Sequence, residues 1–306
     1  MKKHFSIEVI TFMSVLLPLC FVLVFLDYVM GSGLEYFYHR QRSGTLYRTN
    51  YTMDSTRAEV LVVGSSRASH HYDAFSMAGQ LGKTVYNGGR DGQGLIYSAA
   101  VISAATHRYK PEVIIIDILP DEFFFNEKDR LTALFPYYGK PYIRPYIDYA
   151  GDFEKYKLLS KVYPYNSLLP SIVAGNVYLE RSEKDYLGFI PLEGMMSKNS
   201  IIKLRSGAQL MDMEKLALFK NLLVDMENQK IVCFIVISPL YKELVPDATI
   251  NTCKSITSNF KYIKFLNFAK PDQYNDHTLF RDANHLNAKG AERFTTDVVD
   301  SLSVYL

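Results

Sequence analysis

Short runs of apolar residues recur along the chain, with helix-like stretches between them. The runs cover residues 60–63, 113–116, 231–237 and 262–266, with a shorter candidate at 84–86. The helix-like stretches include residues 95–109 and 212–228. Runs that are apolar throughout indicate strands covered on both faces. The alternation therefore predicts an α/β domain in which a mostly parallel sheet lies between helices.

The N-terminus carries the longest apolar run. No residue from 9 to 26 is charged, and the run approaches the roughly 20 apolar residues that cross a bilayer as a helix. Lys2 and Lys3 precede it and Asp27 follows it, which favours a cytoplasmic tip and one transmembrane helix within residues 1–30, with the remainder outside. A cleaved signal peptide is the alternative, but the run is longer than the usual apolar region of about 7–15 residues.

The rest of the chain divides into a linker, a domain and an insertion. Residues 31–57 are polar with little periodicity and predict a stalk, so the folded α/β domain would span residues 58–306. The interval at about 120–210 is too long for a plain connection and predicts an insertion with its own structure. Its aromatic rings either line a glycan or partner surface or pack the insertion onto the domain. They include Phe123, Phe124, Phe125, Tyr137, Tyr138, Tyr142, Tyr146, Tyr149, Tyr156, Tyr163, Tyr165, Tyr178 and Tyr186.

Composition excludes several classes of protein. With 48% hydrophobic residues, the chain can bury a full core, and its formal net charge of +2 does not suggest a nucleic-acid partner. Cys20, Cys233 and Cys253 lie far apart and form no CxxC pair, so neither a zinc site nor a dense disulfide framework is predicted. No metal and no cofactor are predicted.

A candidate nucleophile follows the first predicted strand. That strand leads into Gly64-Ser65-Ser66-Arg67, and a helix-compatible stretch comes next. A serine on a tight turn at the carboxyl end of a strand is exposed to substrate, and backbone N–H groups at the helix start face a developing oxyanion. Glycine and serine also make ordinary turns between a strand and a helix, so this block alone is weak.

A glycine loop follows the second predicted strand. It begins at Asn87, and its glycines, including Gly89 and Gly92, permit close approach of the backbone to a ligand. A dinucleotide-binding loop would need the order G-x-G-x-x-G and usually a place on the first strand. Here the order is Asn-x-Gly-x-x-Gly on the second strand, which argues against a nucleotide site.

A candidate acid–base pair precedes the last predicted helix, which we expect to begin near Ala291. Asp282 and His285 are three residues apart in a turn, so both side chains can reach one point. Histidine has an unperturbed pKa of about 6.5 and can take a proton from serine, while a carboxylate fixes its tautomer. The alternative is helix capping by Asp282 or Asn287.

In their order along the chain, these blocks resemble the SGNH (GDSL-like) hydrolase and acyltransferase family. The resemblance extends from residue 60 to the C-terminus and implies a three-layer, flavodoxin-like domain. It also implies that Ser66 is the nucleophile, His285 the base and Asp282 its orienting carboxylate. The N–H groups of Ser66 and Gly89 would be oxyanion donors, and Asn87 belongs to the same candidate loop.

One block departs from the family pattern. The family has Gly-x-Asn-Asp after the third strand, whereas this chain has Asp117-Ile118-Leu119-Pro120-Asp121-Glu122. The asparagine oxyanion donor is missing, and removal of one such donor costs on the order of 10²–10³ in rate. Among family members, the chain resembles the membrane-anchored subgroup around the D-alanyl transfer protein of teichoic acid synthesis and the alginate acetylation proteins.

That resemblance implies an extracytoplasmic serine esterase or O-acyltransferase of the cell envelope, in the periplasm or at the cell surface. It would take an acylated donor and a glycan acceptor and work with a multispanning membrane O-acyltransferase. The alternative is a non-catalytic envelope protein on the same fold that binds glycan or that membrane partner. Whether the acyl group goes to water or to a sugar is left open by the sequence.

Four charged or titratable residues near these blocks have simpler interpretations. His70 and His71 lie one turn beyond Ser66 and are typical of a solvated helix face. Arg67 and Arg90 either bind an anionic substrate or pair with carboxylates, and we expect pairing.

Overall fold

A computed structural model gives the fold and describes residues 2–177, 187–197, 210–242, 245–270 and 272–305. The strands are β1 (Val60–Gly64), β2 (Val85–Asn87), β3 (Val113–Asp117), β4 (Val232–Ile237) and β5 (Ile263–Asn267). The helices are α1 (Lys2–His39), α2 (Gly44–Asn50), α3 (Ser66–His71), α4 (Ala74–Leu81), α5 (Leu95–Arg108), α6 (Arg144–Asp148), α7 (Glu154–Lys157), α8 (Tyr163–Asn166), α9 (Leu169–Val177), α10 (Met213–Asn228), α11 (Asp247–Thr257) and α12 (Ala288–Ser303). A π-helical turn covers Tyr51–Ser55, and 3₁₀ turns cover Glu122–Phe124, Lys128–Tyr137 and His277–Leu279.

The strands of the described chain form one parallel sheet in the order β2-β1-β3-β4-β5. The prediction of an α/β domain with a parallel sheet is confirmed. In such a sheet the strand order reverses between β1 and β3, and ligands bind outside the carboxyl ends of the strands at this point. Gly64 of β1 pairs with Asp117 of β3 at that edge, so the segment beginning at Ser65 emerges there.

Helices cover both faces of the sheet. Leu61 and Val63 point to one core, which α5 and α10 complete, whereas Val60 and Val62 point to a second core with α3, α4 and α12. One strand contributes side chains to both cores because successive side chains of a strand point to opposite faces of the sheet. Continuous apolar runs are therefore what a sheet buried between two helical layers requires.

The N-terminal helix is longer than the apolar run that predicted it. The stretch of α1 from Val9 onward is long and apolar enough to cross a membrane, and none of its most apolar window is buried in the protein. Beyond that window α1 continues without a break to His39, where it joins the domain.

The structure differs from the stalk predicted for residues 31–57. Tyr38, Leu46 and Met53 are buried in the core on the α5 side of the sheet. The guanidinium of Arg108 holds the π-helical turn by donating to the carbonyls of Met53, Thr52 and Thr56 at 2.7, 3.1 and 3.1 Å. These residues fold onto the domain because single large apolar side chains, spaced too irregularly to give a pattern, each fill a place in the core.

The described part of the insertion consists of 3₁₀ turns and the short helices α6 to α9. Of the two alternatives for its aromatic side chains, packing accounts for most. Five are buried in the core and four more pack against it while partly buried: Phe123, Tyr137, Tyr146, Tyr149 and Tyr165, and then Phe124, Tyr138, Tyr142 and Tyr163. Tyr156 is exposed. Tyr178 and Tyr186, which belonged to the predicted aromatic set, lie outside the described residues.

A buried ion network ties the insertion to the sheet domain. Lys215 Nζ of α10 lies 3.0 Å from Glu127 Oε1 and 3.5 Å from Glu122 Oε1, and all three side chains are almost fully buried. The same carboxylates accept the N–H groups of Leu95 and Ile96 at 3.0 and 3.1 Å. They thus stabilise the N-terminus of α5, where helical N–H groups have no partner of their own.

Candidate active site

Ser66 is placed by a turn that only glycine fits. Gly64 ends β1 with φ of +150°, and a Cβ at this position would lie 2.6 Å from the carbonyl oxygen of Asp117. Ser65 then caps α3, its Oγ accepting the N–H of Arg67. Ser66 is therefore the first residue of α3, with a half-buried side chain at the carboxyl edge of the sheet.

Asp282 and His285 lie in the loop before α12. The loop is closed by an isolated bridge between Phe280 and Leu286 and by the N–H of Arg281, which donates to His285 O at 2.8 Å. Asp282 Oδ1 accepts the N–H of His285 at 3.0 Å, and that of the intervening Asn284 at 2.9 Å. The carboxylate therefore shapes the turn that presents the imidazole.

The structure brings the three predicted residues into one relay. His285 Nε2 lies 2.8 Å from Ser66 Oγ, and His285 Nδ1 lies 3.0 Å from each oxygen of Asp282. An ionised carboxylate only accepts hydrogen bonds, so it assigns the imidazole proton to Nδ1 and leaves Nε2 to accept the Ser66 hydroxyl. Partial burial raises the pKa of Asp282, but hydrogen bonds from His285 and Asn284 outweigh it, and the pKa lies below its usual value. The arrangement suits proton abstraction from serine.

His71 supports this loop, contrary to the solvated position expected for it. The side chain is fully buried, and its Nε2 accepts the N–H of Leu286 at 3.0 Å. Its Nδ1 lies 2.9 Å from Ser238 Oγ and donates to it in the tautomer that Leu286 requires. Burial and the positive charge of Arg67 hold the pKa of His71 well below its usual value. A neutral His71 thus fixes the residue next to His285.

His70 is also buried rather than solvated. Its Nδ1 lies 2.7 Å from Ile190 O and its Nε2 lies 3.2 Å from Asp91 Oδ2. Burial lowers the pKa of His70, but the hydrogen bonds to Asp91 and Ile190 outweigh it and raise the pKa. Its ring centroid lies 5.8 Å from that of His285, so a cationic His70 would add positive potential beside the relay.

Arg67 pairs within the protein, as expected, and is too deeply buried to meet a substrate. Its Nε donates to Ser238 Oγ at 3.0 Å and lies 3.7 Å from Asp117 Oδ1. Arg90 donates to Thr49 Oγ1 at 2.6 Å and forms no ion pair with a carboxylate of the described residues. Both arginines therefore bond within the protein, and neither is the anion-binding group that was the alternative to pairing.

The glycine loop differs from the predicted oxyanion loop. The N–H of Gly89 donates to Asn87 Oδ1 at 2.9 Å, and Asn87 Nδ2 donates to Ala68 O and Tyr72 O at 2.7 and 2.9 Å. Asn87 is fully buried, so it is a structural bridge between β2 and α3. A Cβ on Gly89 would lie 2.4 Å from the backbone nitrogen of Ser69, which explains the glycine by close packing.

Two of the expected oxyanion donors are consequently occupied or missing. The N–H of Gly89 is already bonded, and Asp117, which begins the block where the family has its asparagine, is buried and accepts the hydroxyl of Tyr72 at 2.7 Å. Burial raises the pKa of Asp117 despite the nearby Arg67. The N–H of Ser66 remains, because the first N–H of a helix has no intrahelical acceptor.

An open cavity of about 500 Å³ lies between α4, the start of α12 and residues 189–193. Its wall includes the exposed ring of Phe75, together with Pro191 and Lys289. The segment that forms one wall is bonded to α3, since the N–H of Ile190 donates to Ser69 O at 3.0 Å. No group of three or more metal-ligating side chains occurs in the part of the chain that the structure describes.

Comparison with known proteins adds no family to this picture. No protein-family model matches the chain, and no curated protein matches its sequence.

Proposed function

We propose that the chain is a membrane-anchored serine esterase or O-acyltransferase that works outside the cytoplasm through an acyl-serine intermediate. One observation carries the proposal, namely the relay from Ser66 Oγ through His285 to Asp282 with separations of 2.8 and 3.0 Å. These distances fall within the roughly 2.6–3.2 Å reach that a nucleophile and its base require.

The proposed reaction has two halves. In the first, His285 Nε2 takes the hydroxyl proton of Ser66 while Oγ attacks the acyl carbonyl carbon, and the oxyanion forms near the N–H of Ser66. The tetrahedral intermediate then expels the donor's alcohol, which takes the proton from His285. In the second half, water or a sugar hydroxyl gives its proton to His285, attacks the acyl carbon and releases Ser66 Oγ, which regains a proton.

The cell-envelope setting is supported by α1 and by the family resemblance of the sequence. A helix able to cross a membrane precedes the domain, and lysines on its N-terminal side favour an outward-facing site. We propose an envelope polysaccharide as acceptor and a multispanning O-acyltransferase as the supplier of acyl groups.

A second function is favoured by the incomplete oxyanion site. Because the N–H of Gly89 donates to Asn87 and residues 117–122 lack the asparagine that the family has there, the same fold would also suit a non-catalytic envelope protein that binds glycan or a membrane acyltransferase. Electrostatic stabilisation of the oxyanion usually accelerates acyl transfer more than any other single effect, so a missing donor weighs against rapid turnover.

Labelling with a fluorophosphonate probe tests the choice between the two. We expect the wild type and Ser69→Ala to be labelled and Ser66→Ala to remain unlabelled, since Ser69 lies on the same helix but outside the relay. Intact-mass measurement should place one phosphonyl group on the wild-type chain. Absence of label from a folded wild type would favour the non-catalytic protein.

A further inference from the structure

The described part of the insertion carries an exposed apolar cluster close to the membrane helix. Phe153 precedes α7, Tyr156 lies within it and Leu159 follows it, with 75%, 60% and 82% of their surfaces exposed. They belong to consecutive turns, because Tyr156 N donates to Phe153 O and Leu159 N donates to Tyr156 O. Three large exposed apolar side chains within two turns are costly in water and mark an interaction surface.

The position of this α7 cluster along α1 is fixed by Asp27. The carboxylate of Asp27 accepts hydrogen bonds from Ser160 Oγ at 2.5 Å, Lys161 N at 2.7 Å and Val162 N at 3.3 Å. Asp27 is the first charged residue after the apolar run, so it marks the level where the hydrocarbon core would end. Leu159 immediately precedes Ser160 and therefore lies within about 4 Å of that residue along the chain.

Two further contacts lock the same segment to α1. Gly31 lies so close to Lys161 that a Cβ there would be 2.4 Å from the Lys161 carbonyl carbon, and Lys161 Nζ lies 2.7 Å from Glu35. The segment therefore stays at the level of the first turns that follow the apolar run. About 27 Å of helix is available for the apolar run at 1.5 Å per residue, close to the thickness of a hydrocarbon core.

The residues around the α7 cluster match a lipid headgroup layer. Lys155 is exposed and its Nζ lies 5.2 Å from the ring centroid of Tyr156, which pairs a cation with an amphipathic ring. Lysine and tyrosine are the side chains that anchor proteins at membrane interfaces, and lysine attracts anionic lipids.

We propose that the α7 cluster inserts into the headgroup region of the outer leaflet and forms a second membrane contact beside α1. The inference rests on the proposed membrane anchor and goes beyond the proposed chemistry. The domain would then be held against the bilayer at two points, with Phe153, Tyr156 and Leu159 in contact with lipid.

Site-directed fluorescence on the full-length chain tests this contact. Leu159→Cys and, separately, Tyr156→Cys would be labelled with an environment-sensitive dye in a Cys20→Ser background. Cys233 and Cys253 are buried, and burial raises the pKa of the Cys253 thiol to about 12, so both stay unlabelled. The chain would be reconstituted in phosphatidylcholine–phosphatidylglycerol vesicles containing a lipid with a nitroxide near the headgroup.

Phe75→Cys is the matched control, because Phe75 is 70% exposed but lies on α4, on the opposite face of the sheet. We expect quenching at Leu159→Cys and Tyr156→Cys to exceed that at Phe75→Cys by about twofold or more, since interfacial side chains lie about 5–10 Å into the headgroup boundary. Quenching equal to the control would overturn the proposal and leave a membrane protein as the occupant. A Val24→Cys label that a deep nitroxide fails to quench would instead refute the membrane anchor itself.

Discussion

Replacement of Lys215 by methionine would remove the cation from the Glu122–Glu127 network while keeping a side chain of similar length. In the wild type, Lys215 Nζ also donates to the carbonyls of Glu122 and Phe125 at 3.0 and 2.8 Å. In the variant, the two carboxylates would share a buried site without a cation. Breaking a buried ion pair by removing one partner costs about 3–5 kcal/mol. At about 2–4 °C per kcal/mol, the value for domains of roughly 150–250 residues, the apparent Tm should fall by about 6–20 °C.

Lys128→Met is the matched control. Lys128 Nζ lies 3.4 Å from Glu214 Oε2, but this pair is largely exposed and should contribute about 0–1 kcal/mol. Thermal unfolding of both full-length variants in detergent, followed by circular dichroism, compares a buried with an exposed lysine–carboxylate pair. Equal shifts for the two variants would refute the reasoning that burial decides the cost.

The dependence of this loss on pH has a definite sign. Burial raises the pKa of Glu122 from 4.5 to about 7 even with Lys215 present, and removal of the lysine raises the pKa further. A carboxyl whose pKa is raised on folding stabilises the protein below its unfolded pKa and loses that contribution as pH rises through the folded pKa. The stability deficit of Lys215→Met should therefore be larger at pH 8 than at pH 5.5, and a deficit independent of pH would contradict the assignment.

Three further predictions concern the site. Asp282→Asn should lower kcat for hydrolysis of an activated acetate ester by about 10²–10⁴ with little change in KM, because the wrong histidine tautomer is favoured. Asn87→Ala should lower the free energy of unfolding in urea by about 2–4 kcal/mol, since three buried hydrogen bonds are lost. In the wild type, His71 stays neutral in the folded protein. Its contribution to stability therefore decreases by at most about 1.4 kcal/mol for each unit that the pH is lowered below about 6.5, and His71→Gln should flatten this part of the pH profile.

Each of these has a control within the chain. Asp276→Asn changes an exposed carboxylate that caps a 3₁₀ turn, and equal loss of kcat in Asp276→Asn and Asp282→Asn would count against the relay. Asn166→Ala removes an exposed asparagine and is the control for Asn87→Ala. Equal free energies of unfolding for these two variants would show that Asn87 is not a structural bridge. An unchanged acid limb in His71→Gln would mean that another group causes the loss of stability, His70 being excluded because its raised pKa acts in the opposite direction.

The sheet was predictable because its signal is local. Continuous apolar runs mark β1, β3, β4 and β5 to within one or two residues, and a parallel sheet brings the carboxyl ends of β1 and β3 to one edge. The grouping of Ser66 with Asp282 and His285 was implied by the resemblance of the sequence blocks to the SGNH family and not by this topology, because β5, which precedes the Asp282–His285 loop, lies three strands away from β1. The helix predicted near Ala291 begins three residues earlier because Asn287 caps it, its Oδ1 accepting the N–H of Gly290.

Positions that depend on distant partners were not predictable. His71 is buried because Leu286 and Ser238, more than a hundred residues away, supply its hydrogen bonds. The Gly89 N–H is engaged because of the conformation of one side chain, Asn87, which no sequence pattern records. Lysine is usually a surface residue, but Lys215 is buried because its carboxylate partners, Glu122 and Glu127, belong to the insertion.

The junction at Asp27 decides what the proposed enzyme can reach. A domain on a flexible stalk could reach substrates at many different distances from the membrane. Here α1 runs unbroken from Asp27 to His39, which places His39 about 18 Å beyond the proposed membrane boundary at 1.5 Å per residue. Ser66 would then lie at one fixed distance from the membrane surface and in one orientation. An acyl donor and a polymer acceptor would both have to reach the serine at that distance.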